Sequence, residues 1–186
     1  MQTLWLVRHA QPLIESGVCY GATDIPADAA ATRTSALELA QQLPRGTRII
    51  CSPLQRCMQL SDALLRLRPD LGANTDVRLV EMDFGCWEGV RWSDIPKSAI
   101  DAWTAQFGHW RFGGTESVQE LMDRVAAAWA QTRDATGPVA WITHAGVIRA
   151  ALLLHRNVET VQRSDQWPRQ ALEFGAHHRL FYSQSG

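Results

Sequence analysis

Arg8, His9, Arg56, Glu81 and His144 are the side chains of this sequence whose types and placement suit chemistry on an anion. Guanidinium forks match the oxygens of a tetrahedral dianion, a neutral imidazole can act as nucleophile, and a carboxyl can hand a proton to a departing oxygen. Singly, each has an ordinary explanation: Arg56 as a solvated helix residue, Glu81 as a cap or surface charge, His144 as a satisfied core imidazole. Their shared position argues for a site. Arg8-His9 closes the first expected strand, Arg56 falls in the first turn of the helix after the second, Glu81 follows the third, and His144 ends the fourth just before Ala145-Gly146. Ligands of open α/β sheets sit beyond the carboxyl ends of parallel strands. Parallel strands would bring two arginines, two histidines and a carboxylate to one edge, with a helix N-terminus adding N–H donors.

The elements that must carry these residues follow from periodicity. Residues 4–7, 48–51, 77–80 and 139–143 read as short buried strands. Residues 28–43 read as a helix capped by Asp28, with Leu37, Ala40 and Leu43 as its buried stripe. Ser52-Pro53 is a helix-start signature, and a helix runs from it to residue 67 with Leu54, Cys57, Leu60, Ala63, Leu64 and Leu67 on one face. A short helix is expected within 96–107. The clearest one starts at Ser117, with Val118, Leu121, Met122, Val125, Ala128 and Trp129 at helical spacing. Another helix is opened by His144 and runs to residue 155, one more short helix is expected in 158–166, and residues 170–183 read as a strand pair turned near 175–178. Residues 11–27 form a long loop, and loops of that length usually have a job. Strands alternating with helices imply βαβ units. The expected fold is α/β, a mostly parallel sheet with helices on both faces, in a single domain over 1–186.

Composition narrows the function classes. A formal net charge of -1 argues against a nucleic-acid partner gripped through its phosphates. Apolar stretches fall short of a membrane span, so no membrane partner is expected. The amino terminus has a strand pattern rather than a secretory leader, and Cys19, Cys51, Cys57 and Cys86 are scattered without a close pair. A cytoplasmic home, no disulfide framework and no metal site are the expectations. Neither a dinucleotide-binding glycine pattern nor a Walker pattern follows any strand.

Four stretches, in this order, resemble the histidine phosphatase superfamily, the phosphoglycerate-mutase-like group: Arg8-His9-Ala10, Ser52-Pro53-Leu54-Gln55-Arg56, Glu81-Met82-Asp83-Phe84-Gly85-Cys86-Trp87-Glu88-Gly89, and Thr143-His144-Ala145-Gly146-Val147-Ile148-Arg149. The resemblance implies a three-layer α/β/α sandwich and a phosphomonoester hydrolase working through a phosphohistidine, with no cofactor. By that resemblance His9 is the nucleophile, Arg8, Arg56 and His144 form the phosphate pocket, and Glu81 is the acid for the leaving oxygen. Two departures stand out. Ala10 replaces the commoner glycine, which matters if that position needs a positive φ. Glu15 or Ser16 stands near the place of an expected asparagine, and Glu15, if near the phosphate, must point away from it.

A mutase must exclude water from the phosphoenzyme, and mutases of the family resemble longer chains with extra segments before the second histidine. This chain is short there, which favours a phosphatase over a mutase; a broad-specificity sugar or small-molecule phosphatase stays as the alternative. A phosphate-ligand binder on the same fold would need neither His9 nor Glu81. The loop around Tyr20-Gly21 and the Gly113-Gly114-Thr115-Glu116-Ser117 stretch look similar to α-ribazole phosphatases. That likeness implies α-ribazole 5′-phosphate, or the adenosylcobalamin 5′-phosphate that contains it, as small-molecule partner in cobalamin synthesis. Tyr20, Gly21 and Trp87 are the substrate-side candidates, with Trp92, Trp103 and Trp110 as further rings for a benzimidazole. Monomer and homodimer remain open.

Overall fold

A computed structural model of the chain describes residues 2–169 and 172–183. The first apolar run becomes β1 (Gln2–Arg8). With β2 (Arg48–Cys51), β3 (Gly72–Thr75), β4 (Val139–Thr143) and β5 (His177–Tyr182) it forms one sheet in the order β3-β2-β4-β1-β5. Every pairing is parallel except that of β1 with β5. Successive side chains of a strand point to opposite faces. Both faces of β1 are covered, so its apolar run is unbroken rather than alternating.

On one face Trp5 and Val7 join Ile49, Cys51, Ala140 and Ile142 against Leu39 of α1 (Ala29–Gln42) and Leu60 and Leu64 of α2 (Gln55–Leu67). A short helix, α3 (Lys97–Ala105), precedes the helices of the other face. There Leu4, Leu6, Val139 and Trp141 pack against Leu121 and Val125 of α4 (Val118–Arg133) and Val147 and Ala150 of α5 (Ala145–His155). Each fully buried aliphatic side chain stabilises by about 1.5–3 kcal/mol, so the two cores hold the sheet edge rigid. Trp141 is wholly buried, and its indole N–H donates to Thr132 Oγ1 at 3.1 Å. The expected α/β/α sandwich is the observed fold. Among the described residues no helix is long and apolar enough to cross a membrane.

Several expected elements differ. The third strand is residues 72–75 rather than 77–80. β3 lies at the sheet edge with its side chains mostly exposed, so it pairs through backbone alone and no apolar run marks it. Residues 77–79 instead form a 3₁₀ turn capped by Asp76, which buries Leu79 and leaves Val77 exposed. In α1 Asp28 caps as expected, its carboxylate accepting from the Ala31 N–H at 2.8 Å. Leu43 is buried and Ala40 packs on the same core as expected, but the rest of the buried stripe is Thr32, Ser35, Ala36 and Leu39, with Leu37 exposed. Small residues face α2 and the sheet there, and a one-residue offset turns a helix by about 100°. Helix α2 starts at Gln55 with Leu54 as its cap residue, and Leu67 is exposed. Residues 158–163 are irregular, with Val161 N–H donating to Gln119 Oε1, and only Ser164–Gln166 makes a 3₁₀ turn. The tail returns as the single strand β5, turned at Gly175 (φ 77°). Residues 170 and 171 of the expected strand pair lie outside the described residues.

Candidate active site

Strand register brings the site together. Arg8 pairs with Thr143 across β1 and β4, and the His9 N–H donates to the Thr143 carbonyl at 3.0 Å. His9 and His144 therefore leave the sheet side by side, their ring centroids 5.1 Å apart. On the other flank of β4 the Ser52 N–H donates to the Ile142 carbonyl at 2.9 Å, which delivers Ser52 and the start of α2 to the same edge.

His9 is 2% exposed, and its Nδ1 lies 2.8 Å from the Ala10 carbonyl. A carbonyl only accepts, so Nδ1 carries the proton and Nε2 keeps its lone pair. Burial foremost, with Arg56 and Arg8 nearby, pushes the pKa of His9 down to about 3. The ring is thus neutral across the physiological range, the form a nucleophile requires. Ala10 is unstrained, because among the described residues Asn157 is the one non-glycine with positive φ.

Arg56 is completely buried. Its Nε donates to His144 Nδ1 at 3.3 Å, Nη1 to the Thr23 carbonyl at 2.8 Å, and Nη2 to the Gly21 carbonyl at 2.6 Å. One N–H remains on each terminal nitrogen. Arg8 donates from Nη1 to the Leu172 carbonyl at 2.6 Å and lies 3.8 Å over the Phe174 ring, while its buried Nε has no hydrogen-bond partner among the described residues. The two guanidiniums thus retain donors for an anion. At His144, Nδ1 accepts from Arg56, so Nε2 carries the proton and donates to Ser52 Oγ at 2.8 Å. Burial first, then Arg56, holds its pKa well below the usual imidazole value. It backs the pocket by fixing the plane of Arg56.

The Tyr20 ring centroid is 5.4 Å from Arg56 Cζ. Burial raises the phenol's pKa, against the pull of Arg8 and Arg56. Gly21 has no room for a side chain, since a Cβ there would lie 1.8 Å from the Met82 carbonyl oxygen. Glu88 accepts from the N–H groups of Ala22 (2.9 Å), Thr23 (2.7 Å) and Phe84 (3.0 Å), and so holds the loop whose carbonyls grip Arg56. Glu15 is out on the surface, paired with Arg91.

Glu81 lies at the N-terminus of α5. One carboxylate oxygen accepts from the Gly146 N–H at 2.9 Å and the other from the Met82 N–H at 3.0 Å. The positive end of the helix suits that carboxylate. A Cβ on Gly146 would come within 2.3 Å of Glu81 Oε1, so glycine is what allows the approach. Glu81 and Gly146 also wall a cavity of about 230 Å3 lined by Phe84, Trp92, Trp103, Phe107, Trp167 and Arg149. Trp87 does not line it: its ring packs on Phe112 with centroids 6.0 Å apart. Trp110 lies outside it too, 42% exposed.

Ser52, Gly146, Glu88 and Phe174 were not singled out as site residues by sequence reasoning. Ser52 resembled an ordinary helix cap; its pairing with His144 shows only once β2 and β4 are adjacent. Among the described residues no group of three or more His, Cys, Asp and Glu side chains could hold a metal ion.

The model of the histidine phosphatase superfamily, branch 1, matches residues 4–171. The chain belongs to this family. A comparison with curated proteins returns no significant match. Among solved structures the fold is similar to mycobacterial glucosyl-3-phosphoglycerate phosphatase Rv2419c in complex with VO3, with a TM-score of 0.80 at 21% identity over 97% of this chain and 91% of that one. It is also similar to TTHB049 from Thermus thermophilus, with a TM-score of 0.69 at 24% identity over 96% and 92%. A third is an Escherichia coli K-12 protein provisionally assigned as an alpha-ribazole-5'-P phosphatase, with a TM-score of 0.79 at 20% identity over 96% and 89%. At these identities the likeness speaks to fold. All four motif stretches that carried the family resemblance fall within the matched segment.

Proposed function

We propose that this histidine phosphatase superfamily member hydrolyses a small-molecule phosphomonoester through a phosphohistidine on His9. The observation that carries the reading is the tautomer of His9, with Nδ1–H tied to the Ala10 carbonyl and a neutral ring beside two arginines that keep spare donors. Nε2 attacks phosphorus as the bond to the ester oxygen breaks. Arg8 and Arg56 meet the charge on the equatorial oxygens, with His144 holding Arg56 in place. Glu81 gives its proton to the departing oxygen, which an alkoxide leaving group requires. Water then attacks phosphorus, Glu81 takes back a proton, and the N–P bond breaks to release phosphate and neutral His9.

The finer reading is α-ribazole 5′-phosphate as substrate, supported by the ring-lined cavity that adjoins Glu81 on the leaving-group side. A cavity of about 230 Å3 is of the size of a two-ring base. The test is Glu81→Gln assayed on two aromatic esters, 2-phenylethyl phosphate and p-nitrophenyl phosphate. In kcat/KM, which ends at phosphoryl transfer to His9, the first should fall by about 10²–10³-fold and the second by less than about 5-fold. Equal losses would remove Glu81 from the acid role. Wild-type kcat/KM on α-ribazole 5′-phosphate no higher than on 2-phenylethyl phosphate would remove the substrate assignment.

A further inference from the structure

Glu81 sits on a segment that no strand holds. Residues 77–79 are a 3₁₀ turn, and residues 80–84 are irregular. Its backbone carbonyls cannot be satisfied by a sheet ladder, and buried carbonyls need partners. Side chains provide them. Arg124 of α4 donates from Nη1 to the carbonyls of Arg78 (2.7 Å) and Val80 (2.6 Å), and from Nη2 to that of Glu81 itself (3.2 Å). The Leu79 carbonyl between them accepts from Thr143 Oγ1 at 2.7 Å. Glu116, just before α4, accepts from Arg124 Nε at 2.6 Å and Nη2 at 3.1 Å, and its Oε2 also takes the Asp83 N–H at 3.0 Å.

The arithmetic of donors is informative. A guanidinium has five N–H groups. Arg124 makes five bonds, two to Glu116 and three to carbonyls on the Glu81 segment, so none is left for a substrate. The pair is largely shielded, with side chains 22% and 15% exposed, so its geometry is not that of a loose surface ion pair. It spans Glu81 from both sides, by the carbonyl of residue 80 and the N–H of residue 83.

We propose that the Arg124–Glu116 pair is the positioning device for Glu81: a charged clamp that sets the depth of the carboxyl against the Gly146 N–H and the leaving group. This rests on the acid role proposed above for Glu81. The clamp acts on proton delivery and leaves phosphate binding alone, because its bonds end on the acid's segment and none reaches Arg8, Arg56 or His9. Lysine cannot replace Arg124, since three donors on one atom cannot reach carbonyls and a carboxylate arranged as a fork.

The test measures kcat and KM for 2-phenylethyl phosphate and p-nitrophenyl phosphate in Arg124→Lys, Glu116→Gln, Glu81→Gln and the Arg124→Lys/Glu81→Gln double variant, with inhibition by inorganic phosphate as a reporter of the other half of the site. Arg124→Lys should lower kcat/KM on the alkyl ester by about 30–100-fold, with phosphate inhibition and kcat/KM on the aryl ester within about 3-fold of wild type. Glu116→Gln should show the same selectivity at about 10-fold. Should Arg124→Lys fail to fold, Glu116→Gln, which keeps the carboxyl's shape, reads the same ratio. Once Glu81 is Gln, adding Arg124→Lys should cost less than about 2-fold more on the alkyl ester. Parallel losses on both esters, or losses that multiply in the double variant, overturn the clamp while leaving the acid role standing. No discrimination between esters in Glu81→Gln alone overturns the acid role and the clamp together.

Discussion

The two halves of this site are built in different ways. The half proposed to bind phosphate, with His9, Arg8, His144 and Arg56, hangs from strand ends and the first turn of α2, and strand register sets its geometry. The half proposed for the leaving group, with Glu81 and the aromatic cavity, is carried largely by 3₁₀ turns, irregular chain and the short helix α3 between residues 76 and 116, held by side chains on Arg124, Glu116 and Glu88. Strand register between two large cores places the first half; a small core around Phe112, with side-chain hydrogen bonds to backbone, places the second. The lesson is one of tolerance. The half that every phosphoester must meet is rigid, while the half that must match a particular alcohol sits on segments whose sequence can change without disturbing the sheet.

Substitutions that strike one half should therefore leave a signature the other cannot produce. The largest effect is expected for Arg56→Lys. It should lower kcat/KM by about 10²–10³-fold on alkyl and aryl esters alike, because the fork that meets the phosphoryl oxygens is lost. Near-normal activity would show that Arg56 makes no such contact. Gly146→Ala should cost about 10-fold on the alkyl ester alone, since its Cβ would displace the Glu81 carboxylate from a 2.3 Å approach. A fall on both esters would mean that α5 itself had shifted, and the division between halves would blur.

The smallest effect is on stability against pH. His9 is held neutral by burial, its folded pKa of about 3 lying below the ordinary 6.5. Between those values the unfolded chain binds the extra proton, so stability falls as pH drops below about 6.5. Each such histidine costs roughly 1–2 kcal/mol between pH 7 and pH 5. Denaturation midpoints of wild type and His9→Asn at the two pH values should show a smaller pH penalty in the variant. An unchanged penalty would place the proton uptake elsewhere.

The difference between the halves also explains what could be read from sequence. Residues 4–7 and 139–143 are apolar runs ending in Arg8-His9 and His144, so burial pattern and chemistry coincide, and both strands and their exits were legible. The helix at Ser117 was equally plain, its capping box completed by Glu120. Residues 77–80 misled for a physical reason: Val77, Leu79 and Val80 look like a strand, yet only Leu79 is buried, and the true edge strand at 72–75 carries no apolar signal. Glu81 was named from its motif, but its support from Arg124, eight residues beyond Glu116, has no periodic signature. Trp87 lies in a motif and was expected beside the substrate, whereas Trp167, outside every motif, lines the cavity. Aromatic residues announce themselves in sequence; which of them face a cavity is settled only by packing.

The most direct test of the account is to trap the covalent intermediate. Wild-type protein mixed with a ³²P-labelled phosphoester and quenched in the millisecond range should carry phosphate that is labile to acid and stable to base, on His9, while His9→Ala carries none. Glu81→Gln, slowed on the return step to water, should retain more label than wild type when loaded from p-nitrophenyl phosphate. Turnover by wild type with no such label, or label that survives in His9→Ala, would contradict the assignment of His9 as nucleophile.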